Sequence, residues 1–95
     1  SLTSDAPLDA RAFSGWMRKL VNEQGTRIFR SKGILCFDDA DRRYVFQGVH
    51  MVMDSQWGAP WGEEARRSRL VFIGRGLDRA AIEAGFADCV AKVPA

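Results

Sequence analysis

The stretch that decides the fold runs Arg27-Ile-Phe-Arg-Ser-Lys-Gly-Ile-Leu-Cys-Phe37, then Asp38-Asp-Ala-Asp-Arg42, then Arg43-Tyr-Val-Phe-Gln-Gly-Val-His-Met-Val-Met53. β-branched and aromatic residues crowd both flanks. Between them stand Asp38, Asp39 and Asp41, residues whose side chains hydrogen-bond their own backbone in turns. The stretch therefore reads as two strands joined by a polar turn. In the second strand both alternation sets are apolar, with Tyr44, Phe46, His50 and Val52 on one side and Val45, Val49, Met51 and Met53 on the other. Such a strand is expected to be central and covered on both sides. One small domain rarely covers two faces unaided. The excess predicts a second face that meets another domain, or one hidden by a helix pair and a loop.

Working outward toward the N-terminus, Phe13, Trp16, Met17, Leu20 and Val21 follow the i, i+3, i+4, i+7, i+8 spacing of one helix face. Asp9 is placed to cap that helix, and Gly25 to end it in a positive-φ conformation. Toward the C-terminus, residues 54–66 carry Gly58, Pro60 and Gly62 and read as a long loop holding Trp57 and Trp61. Arg69 to Gly74 reads as a further strand, and Asp78 caps a second helix whose apolar stripe is Ile82, Phe86, Cys89 and Val93. Gly85 weakens that helix by about 1 kcal/mol against Ala. With a short strand at the start, the order is β-α-β-β-β-α. This is an α+β fold, a single layer of mostly antiparallel sheet of about four strands with two helices packed on one face.

At 95 residues the chain is one domain spanning 1–95, with 46% hydrophobic and 27% charged residues, an ordinary globular composition. Fourteen basic against 12 acidic residues leave a net charge of +2, too near neutral to mark a dedicated nucleic-acid binder. Cys36 and Cys89 lie in apolar surroundings, which favours buried, reduced thiols and an intracellular compartment. No apolar run reaches the roughly 18 residues of a membrane span, and the first residues lack a secretory pattern, so a cytoplasmic location is expected. The chain starts without Met and opens in a strand, the expected look of a domain from a longer polypeptide.

The residues that carry chemistry are few. No Gly-x-x-x-x-Gly-Lys-[Ser/Thr] loop or Gly-x-Gly-x-x-Gly turn is present to cradle a nucleotide. Gly74-Arg75-Gly76 lacks the third glycine. Setting Phe37 opposite Tyr44 places His50, the only histidine, opposite Ser31. That is five positions from Cys36, or about 17 Å at roughly 3.3 Å per residue, too far for a dyad or a metal pair. A zinc site needs three or four convergent ligands, and neither Cys-x-x-Cys nor His-x-x-x-His spacing occurs. Asp38, Asp39 and Asp41 read as a solvated turn. An alternative function rests on Arg27, Arg30, Lys32, Arg42, Arg43, Arg66, Arg67, Arg69, Arg75 and Arg79 beside Trp57 and Trp61. Cations and stacking aromatics in one surface would bind single-stranded nucleic acid.

Four ordered strings resemble the C-terminal domain of the CobW family: Arg30-Ser31-Lys32-Gly33-Ile34-Leu35, Phe46-Gln47-Gly48-Val49-His50-Met51, Ser68-Arg69-Leu70-Val71-Phe72-Ile73-Gly74-Arg75, and Leu77-Asp78. Pro7-Leu8-Asp9 with Phe13 and Trp16 resembles that domain's opening, so the similarity covers nearly the whole chain. The resemblance implies a module attached to an N-terminal P-loop GTPase that acts as a metallochaperone, for zinc in many members and cobalt in others. GTP, Mg and the metal would belong to that parent chain, whose Cys-x-Cys-Cys motif and nucleotide site lie in the other domain. No catalytic, cofactor or metal residue carries over to this sequence. His50 corresponds to the histidine of the family's Gln-Gly-Val-His string, and the histidine-rich stretch of some members is missing. The expected role is docking on the GTPase domain and on a metalloprotein client, with Tyr44, Phe46, His50, Val52, Trp57 and Trp61 as the expected surface. Membrane and nucleic acid are not expected partners. An autonomous metal site centred on His50 is the remaining rival.

Overall fold

The helix predicted after Pro7 is α1 (Ala10–Gln24), and the side chain of Asp9 caps it by accepting the N–H of Ala12 at 2.9 Å. A computed structural model describes residues 1–50 and 52–91. Along them β1 (Leu2–Ser4) precedes α1, and β2 (Ile28–Leu35), β3 (Arg42–Val49), β4 (Val52–Pro60), β5 (Ser68–Gly74) and α2 (Arg79–Ala87) follow it. The strands form one sheet in the order β1-β5-β2-β3-β4, every neighbouring pair antiparallel. The α+β architecture matches expectation, with five strands where about four were expected.

Both helices pack on one face of this sheet. Leu8, Phe13, Leu35, Phe37, Phe46, Leu70, Phe86 and Cys89 form the main buried cluster, and Leu20, Ile28 and Ile82 a second. Phe13 anchors α1 edge-on against Phe46, with ring centroids 6.0 Å apart. Leu8 threads between the segment after β2 and the segment after α2. Its N–H bonds Cys36 O at 2.8 Å, Asp38 N–H bonds its carbonyl at 2.9 Å, and Asp9 N–H bonds Cys89 O at 2.7 Å. The buried Gln24 offers its side-chain oxygen to the N–H of Asp78 at 2.9 Å, tying the end of α1 to the start of α2. Asp78 then caps α2 through the N–H of Ala81 at 3.1 Å.

Gly85, a weak helix former on its own turn, has a packing reason. A Cβ there would collide with the indole of Trp16, which fits against α2 only because that atom is missing. Trp16 uses the space to meet Phe86 and Phe72, at centroid distances of 5.9 Å and 6.2 Å.

Several expectations are corrected. The strand read as continuous to Met53 breaks at His50, whose φ of 55° reverses the chain. The region read as a loop over 54–66 begins as β4, which pairs along β3 from Val52 to Pro60. His tolerates the left-handed region better than most residues, and no Asn-Gly or Asp-Gly advertises the turn. Pro60 sits at the end of an edge strand, where its missing N–H costs no ladder bond. The β2–β3 register is offset by two from that expected: Leu35 faces Tyr44, and His50 bonds the carbonyl of Phe29 at 3.0 Å instead of lying opposite Ser31. The turn is longer than the aspartates alone imply, because Cys36 and Phe37 leave the ladder to pair with Leu8. Gly25 is right-handed at φ −57°, continuing into a tight turn over Gly25–Arg27. α2 stops at Ala87, so Cys89 lies beyond it. Val93 and Met51 fall outside the described residues.

Candidate interaction surface

Strand register divides the sheet's side chains into two populations. Residues directly opposite one another share a face, so Gly33 with Phe46 and Leu70, and Ser31 with Gly48 and Phe72, point toward the helices. Their neighbours point away: Arg30, Lys32 and Ile34 from β2, Val45, Gln47 and Val49 from β3, and Arg69, Val71 and Ile73 from β5. Pairing of Val49 with Val52 and of Gln47 with Asp54 adds Val52 and Asp54 to that second face.

The second face is open. Val52 is 75% exposed, Val49 56%, Ile73 54% and Ile34 43%. Two shallow troughs cross it. One of about 490 Å³ runs between Arg30, Val49, Val52 and Ile73, and one of about 590 Å³ between Lys32, Ile34, Val45 and Arg69. Apolar side chains alternate with Arg30, Lys32 and Arg69, while Asp54 is an acid on the same face. The face is thus an apolar floor set with cationic posts and one acid. Its troughs are shallow and lack the enclosure of a small-molecule pocket.

The six residues expected to form the surface do not share one face of the sheet. Phe46 lies inside the main cluster, and Tyr44 lies on the same helix-covered side, between Phe37 at 5.0 Å and Trp57 at 5.4 Å. Trp57, 52% exposed, extends that covered face at the sheet edge. Trp61 is buried at 4%, with the guanidinium of Arg43 over its ring at 4.4 Å and its indole N–H without a partner. Arg43 also bonds Pro60 O at 2.9 Å and pairs with Glu64, so this corner is a structural clamp. His50 stands at the turn tip, its ring 6.2 Å from that of Phe29. Of the six, Val52 lies on the open face. Ile34, Val49, Val71 and Ile73, which are not among the six, lie there too. The signal was present in Arg30-x-Lys32-x-Ile34 and Arg69-x-Val71-x-Ile73, where basic and apolar residues share one alternation set.

The same geometry weighs on the rival readings. Trp61 is covered and Trp57 faces away from Arg30, Lys32 and Arg69, so these tryptophans and those three cations do not share a stacking platform. Arg66 pairs with Asp41, and Arg67 with Asp5 at 3.3 Å. Among the described residues no group of three or more His, Cys, Asp or Glu side chains is placed to hold a metal ion. Cys36 and Cys89 are free and buried. Burial, with Asp88 and Asp9 nearby, pushes the Cys89 thiol up to about 11, which keeps it protonated and inert. Among the described residues no helix is long and apolar enough to cross a membrane.

Comparison with known proteins places these features. The family model described as "Cobalamin synthesis protein cobW C-terminal domain" matches residues 1–90. Zinc chaperone YjiA of Escherichia coli (strain K12) is 39% identical over 83 residues, which are 87% of this chain and 26% of that protein. The crystal structure of Zn(II)-bound YjiA GTPase from E. coli has a TM-score of 0.91 at 36% identity, covering 95% of this chain and 28% of that one. A Zn(II)-bound triple mutant of that GTPase has a TM-score of 0.92 with the same identity and coverage. The chain thus spans about a quarter of the length of the relatives it matches.

Proposed function

The chain belongs to the family of cobalamin synthesis protein cobW C-terminal domains, and from that premise we propose that it is the non-catalytic docking and regulatory module of a GTP-dependent metallochaperone. A zinc chaperone GTPase is the relative that supports this reading, with zinc as the cargo. Nucleotide and metal are handled by the rest of the polypeptide, because this chain has no phosphate-binding loop and its described residues gather no metal ligands. The observation that carries the proposal is the open sheet face. Ile34, Val49, Val52 and Ile73 expose apolar surface that gives the chain no stability of its own.

The face acts by differential contact. It binds the GTPase part or the metalloprotein client more tightly in one nucleotide state, and hydrolysis changes that affinity. The test supplies the GTPase-bearing remainder of the polypeptide in trans and measures its affinity for this chain with GTP and with GDP. A several-fold difference between the two is expected, together with loss of binding in Val49→Asp/Ile73→Asp. Equal affinity in both states, or binding indifferent to these substitutions, would retire the proposal.

A further inference from the structure

The two edges of the sheet are unequal. β1 closes one edge with three residues, Leu2–Ser4. Among the described residues no strand pairs with the outer side of β4, Val52–Pro60, where Arg42 and Arg43 take the carbonyls of Gly58–Pro60 and Asp54 is the single charge. A long edge with few charges is a template for another strand. The backbone directions along it follow from one bond. His50 donates its N–H to Phe29 of β2 at 3.0 Å, so even positions of β3 bond toward β2 and odd positions toward β4. Val45, Gln47 and Val49 then bond their partners Gln56, Asp54 and Val52. Met53, Ser55 and Trp57 are left turning N–H and C=O outward. Ser55 bears this out, because its N–H is taken by the carboxylate of Asp54 at 3.0 Å, a stand-in for a missing strand.

We propose that this edge pairs antiparallel with the same edge of a second copy of the chain, about a two-fold axis at Ser55. The register is selected by charge and by the outward groups. Centred on Asp54, the pairing would set like charges face to face. Centred on Gln56 or Trp57, it would run into the irregularity where β4 slips against β3 beyond Trp57. Centred on Ser55, it opposes Met53 to Trp57 of the second copy and Asp54 to Gln56 of the second copy. About six backbone hydrogen bonds form. The exposed indole of Trp57 gains a thioether neighbour, and the Asp54 carboxylate passes from Ser55 to the second copy's Gln56 amide. The axis stands perpendicular to the sheet, so helices stay on one side and the two open faces join on the other. The pairing therefore does not depend on what covers the open face.

Sedimentation equilibrium of the chain tests this with charge variants at an exposed position. Gln56→Lys, set opposite Asp54 of the second copy twice over, should tighten the dimer about tenfold, and Gln56→Asp should weaken it about as much. Ser55→Pro, which removes an outward N–H without touching the β3 ladder, should abolish it, with circular dichroism confirming the fold. A nitroxide at Ser55→Cys should show strong dipolar broadening between copies, and one at Lys19→Cys none. A chain that stays monomeric at its highest attainable concentration overturns the proposal. A dimer indifferent to residue 56, with labels at 55 far apart, overturns it too. Protection of the Met53, Ser55 and Trp57 amides in the longer polypeptide without self-association would give the edge to a strand of another protein and overturn it likewise.

Discussion

The two faces of the sheet are one residue apart along the same strands and differ in what a side chain there does. Leu35, Phe46 and Leu70 are almost wholly buried under α1 and α2, while Ile34, Val49 and Ile73 look out into solvent. On the covered face the fit is steric: small residues at Gly33, Gly48 and Ser31 leave room for the large ones, and Gly85 leaves room for Trp16. On the open face apolar residues alternate with cations and stand exposed, with Val52 at 75% and Val49 at 56%. The apolar character of the covered face is explained by folding, whereas that of the open face is what the proposed docking role accounts for.

The largest effect should come from contrasting a residue packed against the covered face with one on the open face. Phe13→Ala, which empties the contact between α1 and the sheet, should cost about 3–5 kcal/mol in urea unfolding. Ile73→Ala on the open face should cost about 0.5 kcal/mol or less. Similar losses at both positions would mean that the open face is packed within the chain and would break the contrast.

Gly85→Ala gives a smaller and more discriminating effect. Helix propensity alone favours Ala by about 1 kcal/mol, but the collision with Trp16 should cost about 1–3 kcal/mol and win. In a Trp16→Ala background the sign should reverse, with Gly85→Ala stabilising. A stabilising effect in both backgrounds would show that Trp16 does not need the space.

The smallest effect is in pH. The Cys89 thiol ionises near 9.0 when unfolded and near 11 in the folded chain, so the folded state holds its proton more tightly. Its contribution is complete below pH 9 and is lost as pH rises toward 11. The urea midpoint should fall across that window, with a shallower fall in Cys89→Ala. An identical slope in the variant would remove Cys89 from the effect.

Strong periods made much of the fold legible. The apolar stripe of α1, the caps Asp9 and Asp78, and the runs of β2 and β5 each combine a period with a stop signal, and they stand within a residue or two of expectation. The turn at His50 carried no such signal, and Gly58 with Pro60 disguised β4 as a loop. That one omission put residues of opposite faces in one set. In a tight hairpin the residues flanking a two-residue turn share a face, so odd and even exchange roles across it. Val52 thus left the set of Tyr44 for that of Val49, and Trp57 joined Tyr44. A second apolar face was readable from the doubled alternation, while its membership depended on pairing that composition does not encode.

Hydroxyl-radical footprinting of the open face, in this chain alone and in a longer polypeptide that carries the proposed GTPase domain, tests the central claim most directly. Ile34, Val49, Val52 and Ile73 should react readily in the chain and become several-fold protected in the longer protein. Solvent-facing α1 residues such as Arg18 and Lys19 should stay unchanged. Equal reactivity of those four residues in both proteins, with or without nucleotide, would contradict the account.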